Sequence, residues 1–347
     1  MSATMTEIAE EVGVSRATVS YVLNGREDQS ISPATRRAVA EVAERLGYRP
    51  NRLARAMVTA RTHTFGAVVT RLPGTWHAHL VEAIEDTAYQ HDCSVLLGCS
   101  HWNPVRERRL VETFLEYRVD GVLVLPYFDA NASWYQGLVE EGEGIIFMVA
   151  KSAGVRADGV FVDNHRAGYL VGQHLASLGR KHFAIIWPPV TNYSDDEGRL
   201  DGFVAATHDC GLEPPHVLEV APAADWTGAY EAMAECLHSG PPVDAVFSFT
   251  DYLALDAMRA IQDSGRSVPD DVAVVGYDDI AEAANAVPPL TTVRAPIREI
   301  GEQAVEMLLR RTQTGEAPCA PQRIFLEPTL VVRESTVGLK AQHSFRR

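Results

Sequence analysis

The sequence of 347 residues predicts an all-α helix-turn-helix head followed by an α/β body with two lobes and doubly wound parallel sheets. Residues 4–47 contain three short helical patterns separated by glycine-centred turns. From about residue 62, short β-branched runs alternate with amphipathic helical patterns, as in sheets covered by helices on both faces. The length fits a small head joined to a large body better than it fits one domain.

The first helix is predicted by the spacing Thr4-x-x-Glu7, which is that of a capping box. Ile8, Ala9 and Val12 then follow at helical spacing and give this helix one apolar side. Gly13 supplies the tight turn after it.

The second helix is expected to run from Arg16 to Leu23, with Ser15 as its N-terminal cap and Asn24-Gly25 as its end. Its inward residues are Val19, Val22 and Leu23, which leaves Arg16, Ala17, Ser20 and Tyr21 facing outward. Two short helices around a glycine turn are the arrangement that places a second helix in the major groove of DNA.

A third helix is predicted to begin at Ser32-Pro33 and to stop at Gly47. Its buried residues are expected to be Val39, Val42, Ala43 and Leu46. Pro50 prevents this helix from continuing, but the good helix formers between Asn51 and Thr59 predict a further short helix. Such a helix is too short to be stable alone, so we expect it to form only when paired with its twin on DNA.

The body is predicted to contain about ten strand–helix units, enough for two adjacent lobes. The candidate strands are Gly66–Thr70, Ser94–Gly98, Gly121–Leu125, Ile145–Val149, Val160–Asp163, Phe183–Trp187, Val217–Val220, Ala245–Thr250 and Val272–Tyr277. The candidate helices are Ala78–His91, Pro104–Arg118, Asn164–Leu178, Glu197–Cys210, Thr227–His238, Tyr252–Asp263 and Ile297–Arg311. In open sheets of this kind a ligand binds beyond the carboxyl ends of the strands.

The charge is divided unevenly between the two parts of the chain. Residues 1–61 carry nine Arg and seven acidic residues, a balance of +2, whereas the rest carries 22 basic and 39 acidic residues, a balance of −17. The positive charge therefore lies where a head would meet DNA phosphates. The acidic body is expected either to repel DNA or simply to be a solvated surface.

Other sequence features exclude several classes of protein. No apolar run is long enough to span a membrane, and no secretory signal is visible, so we expect a cytoplasmic protein. The five cysteines are scattered without metal or redox spacing, which indicates reduced thiols. The Gly-x-Ser-x-Gly, Walker A and His-Glu-x-x-His patterns are absent. We therefore expect no catalytic residues, no metal site and no cofactor.

The motifs of the head resemble those of the lactose-repressor (LacI/GalR) family of transcriptional regulators. The matching runs are Thr6-Glu7-Ile8-Ala9, Gly13-Val14-Ser15, Ala17-Thr18-Val19-Ser20, Leu23-Asn24-Gly25 and Leu46-Gly47-Tyr48-Arg49-Pro50-Asn51. The resemblance continues through the whole chain to Leu330–Thr336. It implies a body of the type I periplasmic-binding-protein-like fold, in which the chain passes between the lobes three times.

The resemblance also sets the expected domain boundaries. The head is 1–50, the hinge helix and linker are 51–61, and the effector-binding and dimerisation domain is 62–347. The lobe nearer the head would contain approximately 62–162 and 292–323, and the other lobe approximately 163–291 and 324–340. A homodimer is expected to form through the first of these lobes, by helices such as Ala78–His91.

DNA contacts are expected from the cap and face residues of the head and from the hinge. The expected DNA-binding residues are Thr4, Ser15, Arg16, Ala17, Thr18, Ser20, Tyr21, Asn24, Asn51, Arg52, Ala54, Arg55 and Met57. Arg16 is suited to a bidentate contact with guanine, and the alternative is a contact with phosphate alone. Relatives insert a Leu between base pairs where this chain has Met57, whose apolar flexible side chain suits the same wedge.

Effector contacts are expected, by resemblance, in loops that follow strands of both lobes. The residues are Thr75, Trp76, His77, Arg199, Trp226, Thr250, Asp251 and Asp278. Carboxylates accept hydrogen bonds from vicinal hydroxyls, an Arg fork donates to ligand oxygens, and an indole offers a flat face. Together they favour a small polyhydroxylated ligand, a sugar or glycoside.

Two departures from the family pattern leave the ligand open. Sugar-binding relatives commonly have Asp where this chain has Ala150, and Asn where it has Thr250. A nucleoside, a purine or another metabolite therefore remains an alternative. The sequence leaves two further questions open: whether the effector releases or promotes DNA binding, and whether the chain is a solute-binding protein, which the head argues against.

Overall fold

The computed structural model describes residues 3–26, 28–48, 56, 61–72, 74–126, 131–149, 154–187, 198–220, 228–314 and 320–341. The chain divides into two compact units, Met1–Thr62 and His63–Arg347. They correspond to the all-α head and the α/β body.

The head contains three helices, α1 (Met5–Val12), α2 (Arg16–Leu23) and α3 (Pro33–Arg45). The capping box at Thr4 is present, and Gly13 adopts a left-handed conformation at the turn between α1 and α2. The three helices enclose a small core of Ile8, Ala9, Val19, Val39 and Ala43. Val42 and Leu46, predicted to be buried, are half-buried and pack against this core.

The first sheet of the body has six strands in the order β11-β5-β4-β3-β1-β2. Its strands, all paired in parallel, are β1 (Thr64–Val69), β2 (Ser94–Cys99), β3 (Gly121–Val124), β4 (Ile145–Val149), β5 (Asp158–Val162) and β11 (Arg323–Leu326). The helices associated with this sheet are α4 (Thr75–Gln90), α5 (Pro104–Glu116), α6 (Ala132–Glu140) and α12 (Ile297–Thr314). β2 is an edge strand, which explains why half of its side chains are exposed although its sequence is apolar.

The second sheet also has six strands, in the order β12-β10-β9-β8-β6-β7. They are β6 (Phe183–Trp187), β7 (His216–Glu219), β8 (Ala245–Ser248), β9 (Ala273–Tyr277), β10 (Thr291–Arg294) and β12 (Thr329–Val331). Only the pair β10–β12 is antiparallel among the described strands of this sheet. Its helices are α7 (Asn164–Ser177), α8 (Arg199–Asp209), α9 (Ala229–Ser239), α10 (Asp251–Asp263), α11 (Ala281–Asn285) and α13 (Glu334–Ala341).

The chain passes between the two sheets three times: between β5 and α7, between β10 and α12, and between β11 and β12. β10 belongs to the second sheet, so the second lobe extends to Arg294 rather than to about residue 291. β11 belongs to the first sheet, so the first lobe extends to Leu326 rather than to about residue 323. Both strands have only four residues and include polar ones, and periodicity did not predict them.

One predicted boundary differs in a way that concerns the ligand site. The first helix of the body begins at Thr75 rather than at Ala78. Thr75, Trp76 and His77 therefore form the first turn of α4 rather than a loop. Gly74, with φ of 104°, makes the change of direction from the preceding strand into this helix.

Candidate functional sites

The outward face of α2 is the candidate DNA-binding surface of the head. Val19 is fully buried, whereas Arg16 and Ala17 in the first turn are exposed. Tyr21, one turn further along, is exposed to 37%. Ser20 and Thr18 are half-buried, so the most accessible side chains of α2 are those of its first turn and Tyr21.

The small polar residues of the head are engaged in capping. Ser15 Oγ accepts a hydrogen bond from the Thr18 amide at 3.0 Å, and its hydroxyl lies 2.9 Å from that of Thr18. Thr4 Oγ1 accepts from the Glu7 amide at 3.3 Å. Asn24 Nδ2 donates to the Ser20 carbonyl at 2.8 Å. These four contacts fix the ends of α1 and α2, and direct DNA contacts from the same residues remain predictions.

The arginines of the head differ in how far they are already paired. Arg26 forms an ion pair with Asp28 at 2.6 Å, which lowers the pKa of that carboxyl, and Arg45 pairs with Glu11. Arg36 donates to the Arg26 carbonyl at 2.7 Å. Among the described residues, Arg16 has no ion-pair or hydrogen-bond partner and stands at the start of the exposed face. Its guanidinium is therefore available for a base or a phosphate.

The DNA contacts predicted for the hinge lie outside the residues that the structure describes. They are those of Asn51, Arg52, Ala54, Arg55 and Met57. The same is true of Trp226, expected to line the ligand site, and of Ala150, the departure from the family pattern.

Arg199 is the centre of the candidate ligand site in the second lobe. It is the first residue of α8 and is only 9% exposed. Its guanidinium carbon lies 3.9 Å from the ring centre of Tyr277, 4.1 Å from that of Phe249 and 5.3 Å from that of Trp187. Nη1 donates to the Phe249 carbonyl at 2.8 Å. Residues at the ends of β6, β8 and β9 thus hold the Arg199 guanidinium through three aromatic faces and one backbone carbonyl.

Two glycines bring α8 close enough to α7 to place Arg199 there. A Cβ at Gly168 of α7 would collide with the Arg199 carbonyl oxygen. A Cβ at Gly202 of α8 would collide with the His165 carbonyl oxygen. Because both obstacles are backbone atoms, no side-chain rotation relieves them. The start of α8 is consequently held against the start of α7.

Asp278 follows β9 and adopts an unusual backbone conformation. Its φ is 114° and that of Asp279 is 52°, values that non-glycine residues rarely adopt. The Asp278 amide donates to the Val293 carbonyl at 2.9 Å. Burial raises the pKa of the Asp278 carboxyl, the charge of Asp251 raises it further, and Arg199 lowers it. Strain and a perturbed acid at a strand end are typical of a binding site.

Asp251 and Thr250 serve the internal structure of the second lobe. Asp251 is fully buried, and its carboxylate accepts from Thr292 Oγ1 at 2.6 Å and from the Ile280 amide at 2.9 Å. Burial raises its pKa to about 7. Thr250 caps α10 by accepting from the Leu253 amide at 3.4 Å. These hydrogen bonds all lie within the second lobe and support the wall of the candidate site. Contacts of Thr250 and Asp251 with a ligand remain predictions.

The first lobe contributes Trp76 and His77 from the first turn of α4. Their rings meet edge to face with centroids 4.7 Å apart, and His77 Nε2 lies 2.9 Å from Thr70 Oγ1. Burial, and secondarily the charge of Arg71, lower the pKa of His77 to about 4, which keeps its imidazole neutral. The Trp76 indole nitrogen and the Thr75 hydroxyl are buried without a hydrogen-bond partner among the described residues. Both atoms suit a ligand hydroxyl.

Tyr252 was not predicted as a site residue, and its hydroxyl lies next to the first lobe. A Cβ on Gly74 of the first lobe would lie 3.3 Å from Tyr252 Oη. Burial and the charges of Glu282 and Asp278 raise the pKa of Tyr252, whereas Arg71 of the first lobe lowers it. Tyr252 of the second lobe and Gly74 of the first lobe therefore lie close together. Tyr252 follows the predicted Thr250-Asp251, so its position in the sequence was the available signal.

The aromatic rings around Arg199 were also missed as site residues. Trp187, Phe249 and Tyr277 belong to apolar runs, which predict buried strands rather than a ligand site. Only the structure shows that they end beside the same guanidinium. No helix within the described ranges is both long enough and apolar enough to cross a membrane.

The comparisons with known proteins agree with this two-part organisation. Residues 4–51 match the family model of bacterial regulatory proteins of the lacI family, and residues 172–336 match a periplasmic binding protein-like domain. The ribose operon repressor of Escherichia coli strain K12 is 31% identical over 335 residues, covering 96% of this chain and 99% of that protein.

Two solved structures are similar over nearly the whole chain. A transcriptional regulator CelR–cellobiose complex is 32% identical with a TM-score of 0.69, covering 96% of this chain and 99% of that one. A lac repressor dimer bound to operator and an anti-inducer is 27% identical with a TM-score of 0.85, covering 97% and 100%. With the head and body both matched, the chain belongs to the LacI family of bacterial regulatory proteins.

Proposed function

We propose that this protein is a transcriptional repressor that binds operator DNA as a homodimer and responds to a small hydroxylated ligand, a sugar or glycoside. The observation that carries the proposal is the exposed first turn of α2, where Arg16 has no ion-pair or hydrogen-bond partner among the residues that the structure describes. Each head would read one half of a near-palindromic operator. The proposal contains no catalytic step, and it places the protein in the cytoplasm with its DNA.

The ligand class is supported by the chemistry of the cleft. Arg199 supplies donors, Asp278 supplies an acceptor, and Trp76 of the first lobe and Tyr252 of the second lobe supply aromatic rings. This combination suits a ring with several hydroxyl groups. It also agrees with the names of two relatives, a ribose operon repressor and a CelR–cellobiose complex.

Control would follow from the position of the cleft between two lobes. A ligand that contacts both Gly74–His77 and Arg199 favours one lobe angle over others, and so changes the population of the DNA-binding state. We propose release of DNA as the response. Effector-promoted binding is the alternative that the same experiment distinguishes.

DNA binding is tested with the full-length protein by fluorescence anisotropy on duplexes selected from a random pool. We expect an enriched near-palindromic sequence, bound with an affinity that falls steeply with salt concentration because phosphate contacts release counterions. A solute-binding protein would show neither enrichment nor a salt slope, and that result would overturn the proposal.

Ligand class is tested by a thermal-shift screen of the full-length protein against D-ribose, cellobiose, other glycosides, nucleosides, purines and organic acids. A ligand that binds the native state raises the melting temperature with concentration. We expect a sugar or glycoside to do so, and expect the shift to be lost in Arg199→Met. A shift only with nucleosides, purines or acids would replace the carbohydrate proposal and keep the repressor.

A further inference from the structure

The Asp279 carboxylate holds two arginines that stand beside passages between the lobes. Arg333 Nη2 donates to it at 2.5 Å and Arg294 Nε at 2.6 Å. The Asp279 side chain is only 9% exposed, and that of Arg333 is 16% exposed. The ion pair of Asp279 with Arg333 is largely buried and is therefore a stronger tie than a solvated surface pair, whereas Arg294 approaches from the surface.

Each arginine lies in or next to a strand at which a different passage begins or ends. Arg294 is the last residue of β10, which precedes Ala295-Pro296 and α12, a helix packed against the first sheet. Arg333 follows β12, which the chain enters from β11 of the first sheet. Asp279 therefore contacts residues in β10 and next to β12, the strands at which two of the three interlobe passages begin and end.

Asp279 also adjoins the strained turn at the ligand site. Its own φ is 52°, and Asp278 before it has a φ of 114°. The Asp279 amide lies 3.3 Å from Thr292 Oγ1, whose hydroxyl donates to Asp251. Residues held in rarely populated backbone conformations persist only when their surroundings over-determine them. The ion pairs of Asp279 provide part of the contacts that hold this turn in its rarely populated conformation.

We propose that Asp279 is a positioning residue that ties the Asp278 turn to the two passages marked by Arg294 and Arg333. The turn and the lobe angle then change together, which gives a ligand at Asp278 a direct mechanical connection to the passages. The proposal rests on the proposed function in taking Asp278 as a ligand contact, but the tie itself is testable without ligand or DNA.

The experiment is hydrogen–deuterium exchange of the full-length protein, comparing Asp279→Asn with wild type. We expect exchange about tenfold faster in three segments, 277–283, 295–301 and 326–333, because all three lose a shared restraint. Asp263→Asn is the matched control, since Asp263 pairs with Arg259 and Tyr230 on the surface away from the passages. It should leave all three segments unchanged.

Arg294→Gln is the second variant, and it keeps the test decisive if Asp279→Asn fails to fold. Arg294 is 57% exposed, so its loss should be tolerated. It should accelerate exchange in 295–301 while leaving 326–333 unchanged, because Arg333 keeps its ion pair. Acceleration confined to 277–283 in Asp279→Asn would show a local role and overturn the tie. No acceleration at 295–301 in Arg294→Gln would overturn it as well.

Discussion

The guanidinium carbon of Arg199 lies 3.9 Å from the centre of the Tyr277 ring. This distance joins the start of α8 to the end of β9, two elements that are far apart in sequence. The Tyr277 hydroxyl in turn donates to Asn164 Oδ1 at 3.1 Å, at the start of α7. Tyr277 therefore connects the cation of the candidate ligand site to both helices that begin beside it.

The first prediction concerns this ring. Tyr277→Leu removes the aromatic face below Arg199, and a desolvated cation–ring contact is worth about 2 kcal/mol. We expect ligand affinity to fall by about tenfold or more, as measured by calorimetry with the ligand found in the thermal-shift screen. Tyr277→Phe keeps the ring and removes only the hydroxyl, so it should retain most of the affinity. Equal losses in both variants would contradict a role for the ring.

The second prediction concerns base reading by Arg16. Arg16→Ala should cost about 1–3 kcal/mol on the selected operator and should relax the preference at one base pair of each half-site. The measurement is anisotropy on the operator and on its single-base variants. Arg37→Ala is the control, because it removes the same charge from an exposed position on α3 without an ion-pair partner among the described residues. A uniform loss across all base variants for Arg16→Ala would indicate a phosphate contact instead.

The head and the main strands could be predicted because local signals agreed with one another. Thr4, Ser15 and Ser32 each cap a helix, and in each case the hydroxyl residue precedes apolar residues at helical spacing. The short strands β10–β12 could not be predicted, because three or four partly polar residues carry little periodicity. Their pairing depends on strands distant in sequence.

The candidate site was predictable only in part, for the same reason. Arg199 begins α8 and Asp278 follows β9, two elements with a clear hydrophobic pattern. The resemblance to the family indicated both residues. The role of Asp251 was not evident, because burial of its carboxylate depends on Gly276 leaving room and on Thr292 donating a hydrogen bond. Tyr252 reaches the other lobe, a relationship that no local pattern contains.

The third prediction is a pH dependence of stability that arises from Asp251. Burial raises its folded pKa from 3.8 to about 7, so between these values the folded state binds more protons than the unfolded state. Its contribution to stability is therefore full below about pH 4 and is lost as the pH rises to about 7. At about 1.4 kcal/mol per pKa unit, the loss is at most about 4 kcal/mol.

Asp251→Asn removes this titration while keeping a side chain of the same shape, whose Oδ1 can accept from the Ile280 amide and whose Nδ2 can donate to Thr292 Oγ1. The free energy of unfolding of the variant, relative to wild type, should increase from about pH 4 to pH 8 in urea titrations. Asp271→Asn is the control, because backbone hydrogen bonding lowers the pKa of Asp271 and its titration falls below this window. A flat difference for Asp251→Asn across the same range would show that the folded pKa is not raised.

The fourth prediction concerns the glycine contact that places α8. Gly202→Ala puts a methyl group against the His165 carbonyl oxygen, and only movement of the helix backbone relieves the overlap. We expect a loss of about 1–3 kcal/mol in the free energy of unfolding. Ligand affinity should fall as well, because Arg199 is the first residue of the displaced helix.

Gly137→Ala is the matched control: Gly137 lies within α6, and a Cβ there meets nothing within 4 Å. That change should stabilise the protein by up to about 1 kcal/mol and leave ligand affinity unchanged. If Gly202→Ala lowered stability but left ligand affinity intact, the closeness of α7 and α8 would serve packing alone, and the position of Arg199 would depend on its aromatic neighbours instead.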